Sequence, residues 1–268
     1  MPASKMISGK TRLAGLIGSD TKNSLSPQIH NFLAKTLGQD IVYTTFNVQP
    51  MQLEIALKGA YALGIAGLNI TAPHKKTVLM HISKLDESAE KLEVTNLLKH
   101  TDEGYVAYNT DVYGISQSLQ HYGITSVKSA TIYGAGGAAK AAVAALVEKG
   151  CKKLNIMNRS EAYARVLAQF ARASYGINAK FANALTEGDI FIQASSAKPN
   201  ELMDVMPKNY NLVFDMNYPK ANPWLAQFPN TFDGKCMLIF QALQAYEIMW
   251  DATVDNKTKS KLLNKFLI

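Results

Sequence analysis

Apolar runs of strand length alternate with amphipathic stretches of helix length along almost the whole chain. The strand-length runs are Arg12–Ile17, Ile41–Val48, Ile65–Ile70, Ser129–Tyr133, Leu154–Met157, Ile190–Ala194 and Asn211–Asp215. Between them, Ser26–Leu37, Met51–Leu63, Ala138–Lys149 and Glu161–Tyr175 carry apolar residues at helical spacing. This alternation predicts an α/β chain, with parallel sheets covered by helices. Gly38, Gly64, Gly150 and Gly176 stand just past those helices, where a left-handed residue ends a helix without steric cost. Ser26 before Pro27 reads as an N-cap with proline in the first turn.

The alternation breaks over Val94–Asn109. Two short apolar segments there flank Thr101-Asp102-Glu103-Gly104, a hairpin signal. Asp111–His121 then has helical spacing and leads to a fresh strand, which places a domain boundary near it. The expected organisation is two α/β domains with a cleft between them. Residues 1–112, completed by C-terminal helices over 238–268, form the first; residues 113–237 form the second.

Composition narrows the class. With 268 residues and 47% hydrophobic content the chain can bury sizeable cores. It has no apolar run of about 18 residues, which argues against a membrane span. Its start has no signal-peptide pattern. The two cysteines, Cys151 and Cys236, allow no disulfide framework, and the expected location is the reducing cytoplasm. His30, His74, His81, His100 and His121 lack ligand-like spacing, so no metal site is expected. The net charge of +7 suits anionic small molecules. The basic residues are dispersed, without the clustering of a nucleic-acid footprint.

Candidate chemistry begins after Ser129–Tyr133. Gly134-Ala135-Gly136-Gly137-Ala138 follows a strand and opens an alanine-rich helix, with a second strand about 20 residues on. Gly134 allows the tight turn, Gly136 lets a pyrophosphate approach the backbone, and the helix N-terminal amides face the anion. The next strand ends in Asn158-Arg159-Ser160. No carboxylate awaits a ribose 2′-hydroxyl there, whereas Arg159 can pair with a 2′-phosphate. The expected cofactor is NADP.

Several segments in one order resemble the shikimate dehydrogenase family over nearly the whole chain. They are Ser24-Leu25-Ser26-Pro27 with His30-Asn31; Gly67-Leu68-Asn69-Ile70-Thr71-Ala72-Pro73-His74-Lys75; and Asn109-Thr110-Asp111. The glycine loop, Asn158-Arg159-Ser160, Asp215-Met216-Asn217-Tyr218-Pro219, and Gly234 with Met237-Leu238 and Gln241-Ala242 complete the set. The resemblance implies a reversible NADP-dependent reduction of 3-dehydroshikimate to shikimate in aromatic amino acid biosynthesis. It implies Lys75 as catalytic acid/base paired with Asp111. Ser24, Ser26 and Tyr218 would bind the substrate carboxylate, and Thr71, Asn96, Asp111 and Gln241 its ring hydroxyls. Residues 1–112 with 238–268 would be the substrate-binding catalytic domain and residues 113–237 the Rossmann NADP-binding domain. Met216 and Gly234 would lie at the nicotinamide end, and the protein would act as monomer or homodimer.

The chemistry agrees with those roles. Oxidising a secondary alcohol needs a proton acceptor at the hydroxyl and a hydride acceptor at its carbon. A lysine must be unprotonated to accept that proton, so oxidation should quicken toward alkaline pH. Lys76 and His74 are the adjacent alternatives to Lys75. Four positions depart from the family pattern. Val94-Thr95-Asn96-Leu97 leaves Thr95 competing with Asn96, and Gln193-Ala194-Ser195 replaces an Asn-Ala-Thr run. Cys236 stands where glycine is common, and Tyr163 where a second basic residue often sits. The rival readings are a quinate or other polyol-acid dehydrogenase, possibly NAD-dependent, and a non-catalytic dinucleotide-binding redox sensor.

Overall fold

β1 (Arg12–Gly18), α1 (Ser26–Thr36), β2 (Ile41–Asn47), α2 (Leu53–Ala62) and β3 (Gly67–Ile70) open the chain in the expected alternation. They belong to a computed structural model that describes residues 7–184, 187–195, 210–218 and 228–267. β4 (Lys84–Leu85), α3 (Glu87–Glu90), β5 (Leu97–Thr101) and β6 (Gly104–Tyr108) complete a sheet of order β2-β1-β3-β5-β6-β4. β1 runs parallel to β2 and β3, while β5 is antiparallel to both β3 and β6. The hairpin therefore changes the sense of the sheet at β5. Ile17, Leu68, Ile70 and Leu98 from this sheet pack with Leu53 and Leu57 of α2 in one buried cluster.

A second sheet follows. It is built from α4 (Asp111–His121), β7 (Ser129–Tyr133), α5 (Gly137–Glu148), β8 (Lys153–Met157), α6 (Glu161–Tyr175), β9 (Asn178–Phe181), β10 (Gly188–Gln193), β11 (Tyr210–Asp215) and β12 (Thr231–Phe232). Helix and strand alternate as expected through α6, while β9 and β12 fall outside the predicted strand runs. The order β12-β11-β10-β7-β8-β9 is parallel throughout. It is that of a doubly wound dinucleotide fold, with the glycine loop on its central strand β7. The alanines of α5 explain its position: Ala139, Ala141, Ala142 and Ala145 are fully buried, and such small side chains let a helix lie close to a sheet.

By contacts the chain divides into two units, residues 1–110 with 241–268, and residues 111–240. α7 (Lys235–Trp250) begins in the second unit and continues into the first, followed by α8 (Asn256–Phe266). α8 packs on α1 through an edge-on contact of Phe266 with Phe32, centroids 6.0 Å apart. All four glycines predicted past helix ends have positive φ, from +64° to +90°. No helix among the described residues is long and apolar enough to cross a membrane, and no acidic, histidine or cysteine group among them could hold a metal.

Candidate active site

The Lys75 segment is a turn fixed by backbone hydrogen bonds. Thr71 N–H donates to the Ile17 carbonyl at 2.9 Å, carrying the β1–β3 ladder one residue past β3. Gly18 allows that approach, because a Cβ there would lie 2.5 Å from Thr71 Cγ2. His74 N–H donates to the Thr71 carbonyl, and Thr95 N–H to the Lys75 carbonyl, both at 2.9 Å. Lys75 is half-buried and Lys76 exposed. His74 is fully buried, with Nε2 2.7 Å from the Val48 carbonyl. A carbonyl only accepts, so Nε2 carries the proton and the imidazole acts as a structural tie.

The serine segment differs from expectation in one respect. Ser26 is not the N-cap: α1 begins at Ser26, after Leu25, and no side chain caps it. The reason is that Leu25 is already helical at φ −82° and ψ −7°, which moves the start one residue earlier. Ser24 Oγ instead accepts from Ser26 N–H at 3.2 Å. Thr21 steadies the loop, its N–H and hydroxyl both donating to Asn47 Oδ1 at 3.0 and 2.7 Å.

Thr95 and Asn96 separate cleanly. Thr95 turns its hydroxyl back on the chain, donating to the Tyr108 carbonyl at 2.6 Å and accepting from Leu97 N–H at 3.2 Å. Asn96 reaches outward to other side chains. Its Oδ1 accepts from Thr110 N–H at 2.8 Å; its Nδ2 lies 2.9 Å from Thr110 Oγ1 and 3.3 Å from Gln241 Oε1. Asn96, Thr110 and Gln241 thus form a buried polar cluster drawn from three distant parts of the sequence. Thr110, to which the resemblance gives no role, is thereby a member of this cluster.

In the second unit, Gly134 adopts φ +127°, and a Cβ on it would lie 2.7 Å from the Ala194 backbone. Gly136 is the N-cap of α5; no side chain caps the helix, and a Cβ at Gly136 would meet nothing within 4 Å. Ala135, Gly137 and Ala138 complete the loop, half-buried. Beyond β8, Asn158 Nδ2 donates to the Ser160 carbonyl at 2.9 Å, and Arg159 is exposed. Gln193 is fully buried at the end of β10, its Oε1 accepting from Ser195 N–H and hydroxyl, each at 3.1 Å. Asn217 Nδ2 donates to the Ser195 carbonyl at 2.9 Å, tying the ends of β10 and β11 together. Met216 leaves β11 against Gly234, and Cys236 is buried beyond, its thiol pushed up to about 11 by burial. That thiol stays protonated at neutral pH. Asp111 is buried at the head of α4, and Tyr218 is half-buried after β11. Pro219 lies outside the described residues.

Family models match both halves of the chain. The shikimate dehydrogenase substrate binding domain matches residues 16–98, and the shikimate / quinate 5-dehydrogenase domain residues 117–230. A relative from Bacillus licheniformis, described as shikimate dehydrogenase (NADP(+)), is 36% identical over 92% of this chain and 94% of its own. The chain belongs to the shikimate dehydrogenase family. Solved structures agree. A shikimate dehydrogenase in complex with NADP+ superposes with a TM-score of 0.84 at 29% identity, covering 99% of both chains. Shikimate 5-dehydrogenase from Listeria monocytogenes, in complex with shikimate and NAD, also gives 0.84, at 27% identity over 97% of this chain and 99% of that one.

Proposed function

We propose that this member of the shikimate dehydrogenase family catalyses the reversible NADP-dependent reduction of 3-dehydroshikimate to shikimate, in the cytoplasm, as a monomer or homodimer. One observation carries the substrate half of the reading. The Lys75 carbonyl is bonded to Thr95 N–H, next in sequence to Asn96, whose carboxamide joins Thr110 and Gln241. A cationic side chain and a set of neutral hydroxyl-binding groups are thereby built on one scaffold, as a polyhydroxylated ring beside a reacting carbonyl requires.

The residues of the second unit fit NADP. The open position at Gly136, at the uncapped start of α5, suits a pyrophosphate, and exposed Arg159 suits a 2′-phosphate. Ala135, Gly137 and Ala138 would complete the phosphate loop, with Asn158 and Ser160 beside Arg159. Met216 and Gly234 would border the nicotinamide. When bound, NADPH supplies the hydride for the carbonyl carbon. Lys75 gives its ammonium proton to the ketone oxygen as that carbon is reduced, leaving the alcohol and a neutral amine. In the reverse direction the amine takes the proton from the hydroxyl. In this reading, which follows the family resemblance, Asp111 would pair with the ammonium, Thr71, Asn96 and Gln241 would orient the ring hydroxyls, and Ser24, Ser26 and Tyr218 would bind the carboxylate. Residues 1–112 with 238–268 would thus carry substrate, and residues 113–237 NADP.

The test is an initial-rate absorbance assay with shikimate or quinate crossed against NADP or NAD. Reduction fastest with shikimate plus NADP is expected. Preference for quinate or NAD would reassign the chain within its family, and measurable NADP binding without turnover would favour a sensor.

A further inference from the structure

His30, Asn31 and Asn69 belong to the shared motifs but have no part in the reaction described above. All three converge on one buried residue, Tyr43. The His30 ring stacks on Tyr43 with centroids 4.1 Å apart and planes inclined by 7°. Asn31 clips the Tyr43 backbone, its Nδ2 donating to the carbonyl at 2.8 Å and its Oδ1 accepting the N–H at 2.9 Å. β2 is an edge strand, so this side chain takes the two groups that a further strand would pair. From Tyr43 the chain of contacts runs inward. The Tyr43 hydroxyl donates to Asn69 Oδ1 at 2.8 Å, and Asn69 Nδ2 donates to the Asn96 carbonyl at 3.1 Å. That carbonyl also accepts from Ile70 N–H at 2.9 Å. Two donors fix the plane of the Asn96 peptide, while Thr110 and Gln241 engage its carboxamide.

We propose that Tyr43 and Asn69 are positioning residues, a buried relay that holds Asn96 in the orientation needed to bind the substrate ring. An apolar pair would fill the same space without desolvating a hydroxyl and a carboxamide, so the polar pair contributes orientation more than burial. His30 and Asn31 act one step further out, fixing the ring and backbone of Tyr43. The inference rests on the substrate role given to Asn96 above.

Tyr43→Phe keeps the stacked ring and removes only the hydroxyl. For the folded variant, the shikimate Kd measured by calorimetry and the shikimate KM should rise about 3- to 10-fold, the scale of one neutral hydrogen bond. kcat should change less than about 2-fold, as for a loss of uniform binding. In an Asn96→Ala background the same substitution should have almost no further effect on Kd, because the group it positions is gone. A merely structural role gives a lower melting temperature with Kd unchanged, or equal losses of affinity in both backgrounds; either overturns the relay. Asn96→Ala that leaves Kd unchanged contradicts the substrate role of Asn96 itself, and the relay falls with it. Should Tyr43→Phe not fold, Asn69→Ser cuts the relay one link later and must give the same pattern.

Discussion

Gly234 lies directly against the carbonyl of Met216: a Cβ on Gly234 would come within 2.2 Å of that oxygen and 2.6 Å of its carbon. Gly234 N–H also donates to the Asn217 carbonyl at 3.1 Å, so the segment entering α7 is bonded to the segment leaving β11. No flexible side chain is available to give way. Gly234→Ala must therefore displace backbone that the proposed reading sets beside the nicotinamide. We expect a stability loss of about 1–3 kcal/mol, as for other overpacked sites, together with weaker NADP binding. Thermal melting with and without NADP checks both; an unchanged melting curve and affinity would show that the contact tolerates a methyl group.

The glycines of the loop should separate fold from binding. Gly134→Ala places a side chain at φ +127° and against Ala194, so it should destabilise the protein even without cofactor. Gly136→Ala meets open space at φ −87°, which any residue adopts. It should melt close to the parent protein yet bind NADP at least about tenfold more weakly, since the methyl group occupies the approach to the α5 amides. Normal affinity in Gly136→Ala, measured by cofactor titration, would remove the pyrophosphate from that position.

Arg159 bears on cofactor choice alone. Arg159→Ala should raise the Kd for NADP about 10- to 100-fold and that for NAD very little, because only the former carries a 2′-phosphate. Equal losses for the two cofactors, measured by fluorescence titration, would contradict the assignment.

His30 predicts an acid limb in stability. It is fully buried, burial alone pushes its pKa down to about 3, and neither ring nitrogen has a hydrogen-bond partner among the described residues. The folded protein keeps it neutral, whereas the unfolded chain protonates it below the ordinary value of 6.5. Its contribution is therefore fully present above pH 6.5 and is lost toward pH 3, at up to about 1.4 kcal/mol per pH unit. His30→Phe retains a stacked ring and should flatten this limb. Denaturant titrations at pH 4, 5 and 6 decide it; parallel profiles for parent and variant would remove His30 as a source.

Much of this arrangement was legible in the chain. β1, β2, β3, β7, β8, β10 and β11 each register as an apolar run, and α1, α2, α5 and α6 each end at a glycine that takes positive φ. Short elements escape: β4 has two residues, both exposed, β12 only two and β9 only four, too few for periodicity to register. The glycine loop was readable because a local sequence encodes a local turn. Neither the Asn96–Thr110–Gln241 cluster nor the Tyr43–Asn69 contact could be read, since both join residues whose proximity depends on sheet order. Spacing alone leaves Thr95 and Asn96 equivalent, and side-chain direction separates the two. Ser26 as N-cap was a local reading that Leu25 displaced by one position.

The most direct test of the proposed chemistry is the turnover of Lys75→Ala with shikimate and NADP, alongside shikimate binding by calorimetry. Loss of the acid/base should depress kcat by ~10²–10⁴ while the Kd for shikimate changes only severalfold. Turnover within a few-fold of the parent, in a variant that still binds shikimate, would take Lys75 out of the proton transfer and contradict the account.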